Sequence, residues 1–185
     1  MIKTKLWVQT EGSFLVLLAL MLLILPLQWV MAATAAAAFH ELCHYLAVRG
    51  LGGHVFGIRL GLGGAKMEVE PLPPSKELMA ALAGPVGSAL LVLLAKWLPR
   101  LAICGFLHCV FNLLPLFPLD GGRALRGILE LFWPEGGGER AFFTFQRIFG
   151  WGIGILAAWA ALKWGIFPAL VGIGLIWCQR RKRTV

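Results

Sequence analysis

The sequence predicts an all-α integral membrane protein of about six transmembrane helices, with a small β-hairpin or re-entrant element after the second. Three observations predict it. Of 185 residues, 59% are hydrophobic and only 14% charged, with a mean hydropathy of +0.80, which leaves too little polar surface for a soluble domain of this length. No charge occurs from residue 12 to residue 39. With six spans, 14 of the 17 basic residues fall on one side and only Lys96, Arg100 and Lys163 on the other. That asymmetry places both termini in the cytoplasm.

Each span needs about 20 apolar residues to cross a hydrocarbon core. Residues 7–48 suffice for two, with a turn near Pro26. A third is expected over 76–98, a fourth over 101–117 beyond Pro99, a fifth over 141–162 and a sixth over 165–178. The first could instead be a signal peptide, since Lys3 and Lys5 precede an apolar core, but no small-residue cleavage site follows at a suitable distance. Small residues over 32–38 allow close approach by a neighbouring helix. Between Gly50 and Pro74, residues 55–60 and 65–70 read as two short strands around a glycine turn, or else as an ordinary cytoplasmic loop. Residues 133–139 read as a Pro/Gly-rich connector.

The chain is expected to be one domain, 1–185, with a metal-binding core over about 30–130 and extra helices over 141–178. Its net charge of +8 flanks apolar segments, so an anionic membrane face rather than nucleic acid is the expected partner. The four cysteines, Cys43, Cys104, Cys109 and Cys178, form no CxxC pair and read as free buried thiols.

His40-Glu41-Leu42-Cys43-His44 carries the chemistry. On a helix, positions i and i+4 share a face, so both histidines can reach one zinc ion while Glu41 takes a proton from a water there. A carboxylate in a membrane span costs roughly 2.5–3.5 kcal/mol on insertion scales and usually marks function. Catalytic zinc takes three protein ligands and keeps one position open. The strongest candidate for the third is Asp120, because Pro115 and Pro118 break the helix before it and Gly121 and Gly122 let the chain turn it inward. Glu68 and Glu70 compete for the same role, although their alternation with apolar residues suggests a solvated strand face. Asn112, eight residues before Asp120, can hold a substrate carbonyl or the developing oxyanion, or else bond a neighbouring helix. His108 reads as a packing histidine and His54 as an exposed one.

The HExxH in an early span, Ala83-Gly84-Pro85 opening a later one, and Pro118-Leu119-Asp120-Gly121-Gly122 closing the next resemble the site-2 protease family of intramembrane zinc metalloproteases. Residues 112–123 are most similar to the stage IV sporulation branch, which processes a membrane-associated sigma-factor precursor. The resemblance implies that His40, His44 and Asp120 bind one zinc ion per chain, that Glu41 is the catalytic base and that Asn112 lies near the substrate. It implies regulated intramembrane proteolysis of a transmembrane or membrane-associated protein, in a bacterial cytoplasmic or forespore-surrounding membrane, with a membrane-protein inhibitor or regulator as a further partner. Cys43 stands where the family commonly has Gly, and Ser88 where many members carry Asn. No CBS regulatory domain is expected. Two alternatives stay open from the residues alone: a membrane-anchored peptidase acting on soluble peptides with Glu68 or Glu70 as ligand, and a non-catalytic membrane scaffold.

Overall fold

A computed structural model of the protein describes residues 7–61 and 64–164; the expected sixth span and the basic tail lie outside them. The chain runs β1 (Trp7–Thr10), α1 (Gly12–Ile24), α2 (Leu27–Gly50), β2 (Val55–Gly61), β3 (Gly64–Val69), α3 (Pro74–Leu90) with a 3-10 extension to Leu94, α4 (Pro99–Asn112), α5 (Asp120–Phe132) and α6 (Gly137–Trp164). It is mostly helical with one small sheet.

Proline sets most of the helix boundaries. Pro26 precedes α2, Pro73 and Pro74 open α3, and Pro99 opens α4, positions where a missing N–H costs nothing. The 24 residues of α2 extend about 36 Å. By length and apolar composition, two of the described helices are long and apolar enough to cross a membrane, Pro74–Leu94 and Gly137–Trp159, and Gly12–Ile24 is a shorter apolar helix.

Three expectations need correction. The first helix does not begin at Trp7, because Trp7–Thr10 pairs in parallel with Gly57–Leu60 and is drawn into the sheet. The fourth ends at Asn112 rather than near 117, since Pro115 and Pro118 cannot donate to a continuing helix. Asp120 does not close that span but opens a separate helix, α5.

The expected strand pair is present. β2 and β3 are antiparallel, with Ile58 opposite Met67 and Arg59 opposite Lys66, and an irregularity between Val55 and Gly57. β2 is the central strand, so the sheet edges belong to β1 and β3. Gly57 is required where the Trp7 ring crosses it: a Cβ there would meet Trp7 Cε2 at 2.2 Å.

The interior of the bundle is rich in small residues and holds a polar cluster. α3 is the hub, packed against α2, α4 and α5, and its buried face is Ala80, Ala81, Gly84, Pro85, Gly87 and Ser88. Large apolar side chains point outward instead, among them Leu23 at 82% exposure and Phe132 at 75%, while His40 and Ser88 are 1% and 0% exposed. Such an inversion suits a solvent of lipid tails, where helices associate through close packing of small residues rather than by hiding leucines.

Candidate metal centre

α2 supplies two histidines one turn apart, both buried, on a helix packed against α3 and α4. α5 supplies Asp120 in its first turn, where the helix dipole favours a carboxylate. His40 Nε2 lies 2.9 Å from Asp120 Oδ2, His44 Nε2 lies 3.0 Å from the same oxygen, and the two Nε2 atoms are 3.1 Å apart. One ligand atom from each residue thus converges on a common point, and the three side chains form a group that could hold a metal ion. Tetrahedral ligands about 2.0–2.1 Å from zinc stand roughly 3.3 Å from one another, close to this spacing.

The chemistry of the donors fits as well. His44 Nδ1 is 2.7 Å from the Ala80 carbonyl oxygen, which can only accept, so Nδ1 carries the hydrogen and donates it. Nε2 then presents a lone pair to the carboxylate unless a cation, proton or metal, sits between them. His40 Nδ1 is hydrogen-bonded to the Ser88 hydroxyl at 2.9 Å, again leaving Nε2 to face the cluster. Such outer partners fix the tautomer and ring orientation of metal-binding histidines. Asp120 lies beyond the end of α4.

Two glycines create the space. A Cβ on Gly84 would come within 2.2 Å of His44 Nε2 and 2.7 Å of His40 Nε2, and one on Gly87 within 2.2 Å of Cys43 Sγ. The Ala-Gly-Pro run is therefore the wall that lets α3 approach the histidines, and Cys43 is packed against its next turn. Arg123 braces the other oxygen of Asp120: its Nη1 is 3.5 Å from Oδ1, while its Nε and Nη2 are both 2.9 Å from Glu77 Oε1 on α3.

Glu41 follows His40 on α2, half-buried, with no hydrogen bond among the described residues and electrostatic coupling to His44, His40, Asp120 and Arg123. The Asn112 amide donates to the His108 carbonyl of its own helix at 3.0 Å. His108 packs edge-on against the His40 ring, centroids 4.5 Å apart. His54 is exposed, as expected. Glu68 lies on the exposed face of β3 and pairs with Arg59 at 3.0 Å, and Glu70 is exposed just beyond it. Neither joins the histidines.

Sequence reasoning did not find Ala80, Glu77 or Arg123 as supports, and it flagged Ser88 only as a departure from a motif. A serine or an arginine has no signal of its own; the tight Ala80–Ser88 stretch was the available clue.

No family model matches this chain. It is 32% identical over 161 residues to a protein of Synechocystis sp. named "Putative zinc metalloprotease"; the match covers 77% of this chain and 41% of that relative, so the chain spans less than half of the relative's length. Among solved structures it is similar to the Site-2 protease from Methanocaldococcus jannaschii, with a TM-score of 0.69, 21% identity, and coverage of 100% of this chain and 94% of that one. The protein therefore has the fold of a Site-2 protease.

Proposed function

We propose that the protein is an intramembrane zinc metalloendopeptidase that cleaves membrane-embedded or membrane-associated proteins. The observation that carries this reading is the convergence of His40 Nε2, His44 Nε2 and Asp120 Oδ2 beside Glu41. The names of the two similar proteins and the outward-facing apolar side chains support it.

His40, His44 and Asp120 would hold one zinc ion, which supplies a water acidic enough to ionise near neutral pH and polarises the scissile carbonyl. Ser88 and the Ala80 carbonyl hold the Nδ1 sides of the two rings, so that both Nε2 atoms would be free to bind the ion. Arg123 leaves Asp120 Oδ2 to the histidines by engaging Oδ1. Glu41, one residue from His40 and free of hydrogen bonds among the described residues, takes the proton from the attacking water and returns it to the leaving amine. Asn112 lies on the chain between His108 and Asp120, and its carbonyl-binding role requires release of its amide from the His108 backbone.

A helical substrate must unwind before its carbonyls are open to attack. The sheet can receive an extended peptide. Because β1 occupies one side of β2 and β3 the other, the edge that the hairpin offers is that of β3. The similarity of residues 112–123 to the sporulation branch supports a sigma-factor precursor as substrate, and the basic-residue asymmetry supports cytoplasmic termini.

The test is metal content and proteolysis of the detergent-purified full chain. About one zinc per chain is expected, with Glu41→Gln retaining the metal while cleavage of a reconstituted membrane-anchored precursor falls by about 10²–10⁴-fold. A folded wild type without zinc, or full activity in Glu41→Gln, would overturn the proposal.

A further inference from the structure

The backbone that delivers Asp120 is irregular, and a residue on a different helix holds it. Between Asn112 and Asp120 the chain makes short turns, Leu116 N–H to Leu114 O at 2.7 Å and Leu119 N–H to Leu116 O at 2.7 Å. Pro115 and Pro118 contribute no N–H, so this segment cannot satisfy its own carbonyls as a helix would. Gln146 on α6, 6% exposed, lies against it. Its Nε2 donates to the Pro115 carbonyl at 2.7 Å, and its Oε1 accepts the Phe117 N–H at 3.2 Å. One amide side chain thus grips both flanks of Leu116, itself 3% exposed. The Phe117 ring adds an edge-to-face contact with Phe142, one turn earlier on α6. On the far side the segment lies against the first turn of α5, where a Cβ on Gly121 would meet Leu113 O at 2.2 Å and one on Gly122 would meet Leu116 C at 2.5 Å. Asp120 is three residues beyond Phe117, so little slack separates the gripped backbone from the carboxylate.

We infer that Gln146 is a positioning residue for Asp120: by clamping Pro115 and Phe117 it sets where α5 begins, and it thereby ties the metal affinity of the site to the seating of α6. Nothing in the HExxH or Pro-Leu-Asp-Gly-Gly motifs contains this residue. The inference rests on the zinc reading above and deepens it. Asp120 is the one ligand that does not come from α2, and α6 is the element that fixes its approach.

The experiment measures zinc affinity by chelator competition on the detergent-purified full chain, comparing wild type with Gln146→Met and with Trp151→Ala, an exposed position on the same helix. Gln146→Met keeps the side chain's length and removes both hydrogen bonds. Zinc binding is expected to weaken about 10-fold in Gln146→Met and to stay at the wild-type level in Trp151→Ala. Unchanged affinity in Gln146→Met overturns the inference, even if the metal-free protein melts lower, because a merely structural role moves stability and not affinity. Should that variant fail to fold, the wild type still decides by linkage. If the grip favours metal binding, metal binding must favour the grip. Adding zinc should then slow hydrogen exchange at residues 142–150 together with 113–124. Protection confined to 113–124 overturns the inference. A wild type that takes up no zinc is a different result, which sinks the metal reading and this inference with it.

Discussion

On the sheet, Arg59 pairs with Glu68 at 3.0 Å, both side chains more than 40% exposed. At the start of α5, Arg123 reaches Asp120 at 3.5 Å and Glu77 at 2.9 Å, and the Asp120 side chain is only 9% exposed. Both regions pair an acid with an arginine, yet they differ in what lies on the acid's other side. Glu68 faces solvent, where an ion pair contributes about 0–1 kcal/mol. Asp120 has its second oxygen within 3.0 Å of two imidazoles. Removing one member of a buried charged set leaves its partners uncompensated, which is far costlier than losing an exposed pair. An acidic residue near arginine is therefore uninformative by itself; the histidines and the exclusion of water make one of these two a candidate ligand.

The sharpest way to break this comparison is to delete each acid in turn. Asp120→Ala should lower zinc affinity by more than about 100-fold, beyond the range for outer partners, while a Glu68→Ala/Glu70→Ala double variant binds zinc like the wild type. Chelator competition measures both, and loss of zinc only in the double variant would move the chemistry to the membrane surface.

Next in size is Gly84→Ala. Alanine is the better helix former by roughly 0.8–1 kcal/mol, so propensity alone would stabilise α3. The structure predicts the opposite, because the new methyl falls on His44 Nε2. A destabilisation of about 1–3 kcal/mol is expected, along with lost zinc and retained helix content by circular dichroism.

Ser88→Ala is smaller. It removes the partner of His40 Nδ1 and should weaken zinc binding about 10-fold. The smallest effect belongs to the sheet: Glu68→Ala should change thermal stability in detergent by less than about 1 kcal/mol.

Much of this was legible in the sequence where the relevant spacing is local. The i, i+4 histidines had to share a helical face, and they do. The glycines around residues 61–64 bounded two strands as read, because alternation and turn residues act over a few positions. The strand at Trp7–Thr10 was hidden inside an apolar run, since a stretch of that kind is equally at home in a helix and only β2 decided otherwise. The helix α5 was hidden for a related reason: the prolines before Asp120 announce an ending but not what begins after it.

By itself, then, the sequence determined an apolar chain, two histidines on one face of a helix and a proline-broken approach to an aspartate. Those follow from composition and from periodicities of a few residues. Only the tertiary structure decided that Asp120 rather than Glu68 meets the histidines, and that Ser88, Ala80, Arg123 and Gln146 hold the set in place. His40 and Asp120 are 80 residues apart, and no local rule reaches across that distance. Their meeting depends on α3 being slim enough at Gly84 to let α2 and α5 close, and on α6 gripping the backbone that leads to the carboxylate.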